Sequence, residues 1–94
     1  MRVIIDEGII TKSIETYGKE KQSVVCMEEC AELIQCISKE LRGKSDPYHL
    51  AEEMADVLIC VEMLKQMYHI DLSEIQTWID KKQDREESRM KSHE

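Results

Sequence analysis

The sequence is poor in the residues that interrupt helices or build tight β-turns. Its 94 residues include three glycines, a single proline (Pro47) and no phenylalanine. Two-residue hairpin turns depend on Gly, Asn or Asp between alternating apolar strands, and little in this sequence suggests that pattern. Apolar residues instead recur at helical spacing, so the sequence predicts an all-α fold.

The chain also lacks a long apolar run and a basic leader followed by an apolar stretch. Because a transmembrane helix needs about 20 mostly apolar residues, we expect no membrane partner and no secretory signal. The four cysteines are therefore expected to be free, mostly buried thiols in a cytoplasmic protein: Cys26, Cys30, Cys36 and Cys60. Metal binding by Cys26 and Cys30 is disfavoured, since no second Cys or His pair at zinc-finger spacing accompanies them.

Basic residues are few relative to acidic ones. Thirteen Lys and Arg against twenty Asp and Glu give a net charge of -7, which argues against a nucleic-acid polymer as partner. A small phosphate ligand stays compatible with this charge if a cation accompanies it. Residues 1–94 are expected to form a single domain with a thin core, so self-association as a homodimer or homotetramer is predicted.

Four helices are predicted from apolar spacing and from helix start and stop signals. They cover about residues 4–17, 19–42, 46–68 and 71–89. Residues 91–94 have nothing to bury and are expected to fray.

The ends of these helices are read from a few local signals. Gly18 and Gly43 are typical of helix ends, and a break is predicted at residues 43–46. Asp46 before Pro47 is an N-cap signal for the third helix. The segment DLSE at residues 71–74 resembles a capping box and starts the fourth.

Helices two and three carry one acidic phrase twice, offset by 24 residues. It reads EECAE at residues 28–32 and EEMAD at residues 52–56, and each copy is followed by a cysteine four residues later. The apolar arcs of these two helices are predicted to form the core. Their members are Cys26, Cys30, Leu33, Ile34, Ile37 and Leu41 on helix two, and Leu50, Met54, Val57, Leu58, Val61 and Leu64 on helix three.

Other apolar residues of helix three fall off its main arc. They are Ile59, Met63 and Met67. Apolar residues outside the core leave a surface to be covered, so they favour the same prediction of a homo-oligomer.

Helical phase separates the two leading glutamates of each phrase, because neighbouring residues lie about 100° apart. Glu28 is predicted to face solvent with Lys39, as is Glu52 on the next helix. The remaining acids are predicted to border the core and to be at least half buried: Glu29, Glu32, Glu53 and Asp56.

Residues three apart are neighbours on a helix, so each helix offers two converging carboxylates, and two packed helices bring four together. Four acids this close repel one another unless a cation lies among them. Ligation by oxygen alone favours Mg²⁺ or Mn²⁺ over zinc. The sequence therefore predicts a metal site at Glu29, Glu32, Glu53 and Asp56.

Three other interpretations remain. The four acids can simply lie on solvent-exposed helix faces without binding a metal, since a single E-x-x-E match is frequent by chance. The chain can be a non-catalytic acidic helical module that dimerises or binds a cation, although such a module does not need carboxylates at the edge of both apolar arcs. A carboxylate-bridged di-iron bundle calls for E-x-x-H motifs, and neither Glu29 nor Glu53 has a His three residues later.

Basic residues mark the fourth predicted helix. Trp78, Lys82, Arg85 and Arg89 fall on one arc, so the cations could reach a phosphate, or could extend into solvent and pair with neighbouring acids. Trp78 could stack on a nucleobase or simply pack. His49, one turn before the second acidic pair, could line the site or be an ordinary residue at a helix start.

The sequence resembles the MazG-like nucleoside triphosphate pyrophosphohydrolases over about residues 14–90. The resemblance rests on E-x-x-E at residues 29–32, a gap of 20 residues, E-x-x-D at residues 53–56, and K-x-x-R-x-x-x-R at residues 82–89. One departure is Glu86, where many relatives carry Asn. Cys60 is another, because relatives that hydrolyse phosphoribosyl-ATP carry a His shortly after the second motif.

The resemblance implies a helical-bundle homo-oligomer of four-helix protomers that hydrolyses nucleoside triphosphates to monophosphate and pyrophosphate. It implies Mg²⁺, with Mn²⁺ as an alternative, held by the four acids named above. Glu29 is expected to act also on the attacking water. Lys82, Arg85 and Arg89 are expected to bind the substrate's phosphates. Base and sugar preference do not follow from the sequence.

Overall fold

The computed structural model describes residues 1–44 and 46–93 of the chain. They form four α-helices in sequence order: α1 (Glu7–Tyr17), α2 (Lys19–Leu41), α3 (Pro47–Met67) and α4 (Leu72–His93). No strand occurs within the described residues, and the predicted all-α class is confirmed. None of the helices in this part of the chain is long and apolar enough to cross a membrane.

Capping residues set most helix ends where the sequence predicts them. The side chain of Asp46 accepts a hydrogen bond from the His49 backbone N–H at 3.2 Å, which starts α3. Gly43, with φ of 74°, lies in the left-handed region that glycine adopts without steric cost, and it follows the end of α2. Ser45, in the predicted break, lies outside the described residues.

Two predicted ends were wrong. Helix α1 begins at Glu7 rather than near residue 4, because the side chain of Asp6 accepts from the Ile9 N–H at 3.2 Å and caps the helix there. Helix α4 continues to His93, where fraying was expected, and Lys91 forms an ion pair with Glu87 at 3.2 Å. Glu94 lies outside the described residues.

The core lies where α1, α2 and α3 meet. Its buried members are Ile10, Cys26, Cys60, Met63 and Met67, and partly buried Ile5, Ile14, Ile59 and Leu64 surround them. The Cys26 sulfur lies 3.7 Å from the Cys60 carbonyl oxygen, so α2 and α3 touch through small side chains here. The contact pairs an early residue of α2 with a late residue of α3, as expected for antiparallel neighbours.

The predicted core was largely wrong. Of the two apolar arcs only Cys26 is fully buried, whereas Ile34 is 67% exposed and Leu41 is 85% exposed. The physical reason is that each helix of a thin layer can bury only the strip that faces a neighbour, which is narrower than its apolar arc. Exposed members of the two arcs, which we call the outer apolar residues, are Cys30, Ile34, Ile37, Leu41, Met54, Leu58 and Val61.

Helix α4 stands apart from the other helices. None of its described residues is buried, and it has no extensive packing against α1, α2 or α3. Trp78 is 60% exposed, with the Lys81 ammonium 5.1 Å from the centre of its ring. The arc of Trp78, Lys82, Arg85 and Arg89 therefore buries no side chain among the residues described.

Candidate metal centre

Carboxylates from the two acidic phrases meet between α2 and α3. Glu29, Glu53 and Asp56 each offer an oxygen atom, and these atoms lie within 4.8 Å of one another. Helical phase brings them inward from α2 and α3, while Glu28 and Glu52 face solvent as predicted. We call the three inward acids, together with the adjacent Glu32, the acidic cluster.

Glu32 lies at the rim of this cluster. It is more exposed than the other three acids, which are buried or partly buried. It lies outside the group of three closest acids, although its negative charge raises the pKa of Glu53. The reason is that burial depends on how closely the neighbouring helix approaches at each level, and spacing along one helix carries no information about that approach.

Burial and mutual repulsion raise the pKa of two of these acids. Burial is the largest cause at Glu29, followed by its hydrogen bond and charge interaction with Asp56, and together these raise its pKa from 4.5 to about 7. At Glu53, which is 3% exposed, burial again acts first, and the negative charge of Glu32 raises the pKa further. No Lys or Arg in the described part of the chain forms an ion pair with these acids.

Two oxygen atoms in the cluster have no hydrogen-bond partner among the residues that the structure describes. They are Glu29 Oε2 and Glu53 Oε2, both buried. A buried polar atom without a partner costs about 1–3 kcal/mol, and more if it is charged. Unsatisfied oxygen atoms surrounded by further carboxylates fit a hard divalent cation, since oxygen is the ligand atom such ions take.

His49 lies beside the cluster. Its Nε2 atom lies 3.4 Å from Glu53 Oε1, one helical turn away on α3. Of the roles left open by the sequence, the structure thus favours a contact with the acidic cluster. The imidazole is about half exposed, so it forms part of a wall that solvent can reach.

The basic residues expected to bind phosphates lie elsewhere in the chain. Lys82, Arg85 and Arg89 are exposed on α4. Across residues 1–44 and 46–93, none of them forms an ion pair with the four acids. The structure brings the acidic residues of the candidate site together and leaves these three cations apart from them.

The thiols do not contribute to this centre. All four cysteines are free, as expected, but only Cys26, Cys36 and Cys60 are buried, and Cys30 is exposed. Burial raises the pKa of the Cys60 thiol to about 12, so this group stays protonated and behaves as a small apolar side chain.

Two lysines near the centre were overlooked in the sequence. Lys39 was assigned to the solvated face, and it is exposed. Lys44 was placed in the break between helices, in a turn that the family resemblance includes, but neither lysine was given a role. Both line a cavity that also touches Cys36 and His49. The signal for Lys39 was its position seven residues after Glu32, which places both on one side of α2.

The chain was also compared with known proteins. A family model described as the MazG nucleotide pyrophosphohydrolase domain matches residues 18–90. The matched segment contains α2, α3, all four acids of the cluster and the basic residues of α4. No curated protein and no solved structure matches the chain.

Proposed function

Because the chain belongs to the MazG nucleotide pyrophosphohydrolase family, we propose that it hydrolyses nucleoside triphosphates, of ribose or deoxyribose, to a nucleoside monophosphate and pyrophosphate. One observation carries this proposal. Carboxylates from two repeated phrases meet in one cluster, where two buried oxygen atoms lack partners among the described residues. Such a cluster destabilises the fold unless it binds a cation. Its presence therefore supports a metal-dependent activity.

Glu29, Glu53 and Asp56 are the proposed metal ligands, with Glu32 at the rim as the fourth. Mg²⁺ fits this set best, and Mn²⁺ is the alternative, because every donor atom is a carboxylate oxygen. When bound, the ion neutralises phosphate charge and polarises the attacking water.

Glu29 is the residue proposed to orient the attacking water. Its Oε2 atom, which lacks a partner in the described part of the chain, is the proposed acceptor of a proton from that water. The new bond forms between the water oxygen and the α-phosphorus, and the bond from the α-phosphorus to its bridging oxygen breaks. Pyrophosphate then leaves with the bonding electron pair, so negative charge grows on the outer phosphates, where cations are needed.

Lys82, Arg85 and Arg89 are proposed to contact those phosphates, as the family motif implies. All three are exposed and on a helix that hardly packs against the rest of the chain. The proposal therefore requires that α4 approach the acidic cluster in the assembled, substrate-bound protein.

A homo-oligomer, dimeric or tetrameric, is part of the proposal. The outer apolar residues on α2 and α3 expose a surface that a monomer rarely leaves uncovered. A second copy is the occupant we propose, since the same residues on both copies can form a self-complementary interface. The cytoplasm is the proposed location, in keeping with four free thiols.

The test compares two neighbouring glutamates. Glu29→Gln should lower kcat/KM for pyrophosphate release by about 100-fold or more, because it removes a ligand charge and the proposed proton acceptor. Glu28→Gln should stay close to parental turnover, since this residue is exposed. Equal turnover in the two variants would show that the acidic cluster does not carry the activity.

A further inference from the structure

A cavity of about 310 Å³ opens where the turn after α2 meets the start of α3. It adjoins the end of the acidic cluster that is nearer this turn. Its lining residues are Cys36, Lys39, Glu40, Lys44, Asp46 and His49. Two basic residues thus line a cavity that adjoins the acidic cluster.

The cavity and the acidic cluster share a wall. His49 lines the cavity and lies 3.4 Å from Glu53. Cys36 also lines it and stands one helical turn after Glu32 on α2. A ligand that extends from the carboxylates toward this turn would therefore enter the cavity directly.

Local backbone structure holds the two lysines on one side. The left-handed conformation of Gly43 folds the chain back, and the Lys44 backbone N–H donates to the Lys39 carbonyl oxygen at 2.9 Å. This closing bond is typical of a glycine helix end. It places Lys44 over the last turn of α2, which carries Lys39.

The acidic residues of the cavity have structural partners. A carboxylate oxygen of Glu40 accepts from the Asp46 backbone N–H at 3.2 Å, and a carboxylate oxygen of Asp46 accepts from the His49 N–H at 3.2 Å. Lys39 and Lys44, in contrast, form no ion pair with any residue that the structure describes. Their ammonium groups are available to an anion.

We propose that this cavity binds the two outer phosphates of the substrate, and the pyrophosphate product, through Lys39 and Lys44, in addition to the contacts proposed for the basic residues of α4. The inference rests on the proposed function and assigns residues for the leaving group. With the outer phosphates in the cavity, the α-phosphorus would lie closer to Glu53 and Glu29 than the outer phosphates do. The leaving pyrophosphate would then develop its charge beside two ammonium groups.

The volume supports this division of the substrate. Small-molecule sites usually measure about 300–1,000 Å³, so a cavity of about 310 Å³ suits a compact group such as pyrophosphate better than a whole nucleotide. The larger groove beside Met27, Ile34 and Leu64 is lined mainly by apolar side chains, and no Lys or Arg is among its described lining residues.

The test is titration calorimetry of the full chain with inorganic pyrophosphate in the presence of Mg²⁺. The double variant Lys39→Gln, Lys44→Gln should weaken pyrophosphate binding by about tenfold or more, because two charge-assisted hydrogen bonds are lost. Lys12→Gln on α1 is the control and should stay within about twofold of the parent. Affinity for AMP, which lacks the outer phosphates, should also stay within about twofold in the double variant.

The inference is overturned if the double variant keeps parental pyrophosphate affinity, or if it loses AMP affinity to the same extent. Lys44→Gln alone repeats the measurement without a change inside a helix, which guards against loss of folding. Parental turnover is measured separately. A parent that binds pyrophosphate through these lysines but does not hydrolyse nucleotides would refute the proposed function and retain the anion site.

Discussion

Glu28 and Glu29 have the same side chain and differ by one position, yet they lie in different environments. Glu28 is exposed, whereas Glu29 is partly buried in a group of acids. Burial, together with these neighbouring acids, raises the pKa of Glu29 to about 7. Helical phase predicts this difference from sequence, because about 100° separates the two side chains. The same phase separates Glu52 from Glu53 on α3.

The raised pKa of Glu29 predicts how stability of the metal-free protein depends on pH. Between its ordinary value of 4.5 and about 7 the folded state retains a proton that the unfolded state has lost. The free energy of unfolding should therefore fall as pH rises through this interval. Above about pH 7, Glu29 should contribute little further change. Urea unfolding in EDTA at about pH 5 and about pH 8 measures the effect.

Glu29→Gln is the control for that measurement, because the variant cannot take part in this titration. Its stability should depend less on pH than that of the parent. Parental stability that rises from about pH 5 to about pH 8 would contradict the raised pKa of Glu29 in the folded protein.

Other residue-scale features could not be predicted from the sequence. Glu32 was expected to border the core like Glu29, and Lys39 was expected to face solvent, which it does. Neither the greater exposure of Glu32 nor the position of Lys39 beside a cavity was predicted. Both expectations used the position of a residue on one isolated helix, whereas the surroundings of these residues depend on how α2, α3 and the turn between them are arranged. That arrangement is a tertiary property, and no spacing rule reports it.

At the scale of elements, α2 and α3 show that the local sequence determines where a helix begins and ends. Their bounds follow from Gly18, Gly43 and Asp46, since a helix end depends on a few adjacent residues. Their packing does not follow in the same way. The sequence shows a wide apolar arc on each helix, but it does not show which strip of the arc meets its neighbour and which is left for another surface.

Two methionines of α3 illustrate the same point. Met63 and Met67 were expected to lie off the main core arc, and both are buried in the core. Helix α1 is the cause, because it packs against α3. Thr11 of α1 donates to the Gln66 side chain at 2.7 Å, and Gln66 donates to the Glu7 carbonyl oxygen at 3.2 Å. These contacts join residues far apart in sequence, which local periodicity does not relate.

The outer apolar residues lead to a prediction about assembly. Ile34→Lys should shift the molar mass measured by light scattering at micromolar concentration toward the protomer mass of 11.0 kDa. The reason is that a charge would be buried without a partner in the proposed interface. The parent should give a multiple of that mass.

Val3→Lys is the matched control, because Val3 is 71% exposed but precedes α1 and belongs to neither arc. It should keep the parental mass. A parent of 11.0 kDa, or an Ile34→Lys variant with the parental mass, would show that a second copy does not cover these residues.

At the scale of the whole molecule, the chain is more extended than its length requires. Its radius of gyration is 16.1 Å, against roughly 12 Å expected for a compact domain of this length. Helix α4 accounts for much of the difference, since it has no buried residue among those described. An extended chain with exposed apolar arcs is consistent with the proposed assembly.

The net charge of -7 also has a consequence for substrate binding. A nucleoside triphosphate is itself strongly anionic, so it would be repelled by the acidic cluster without a cation. We therefore expect the metal and the substrate to bind together.

The net charge and the acidic motif are properties of the sequence alone. The separation between the acidic cluster and the cations of α4 could not be predicted from it, because that separation depends on how the helices pack.

The most direct test of this account is product analysis after the parent protein is incubated with a panel of nucleoside and deoxynucleoside triphosphates. With Mg²⁺, at least one nucleotide should yield monophosphate and pyrophosphate in equal amounts, EDTA should abolish the reaction, and Mg²⁺ or Mn²⁺ should restore it. Release of orthophosphate, recovery with zinc alone, or no turnover of any nucleotide would contradict it.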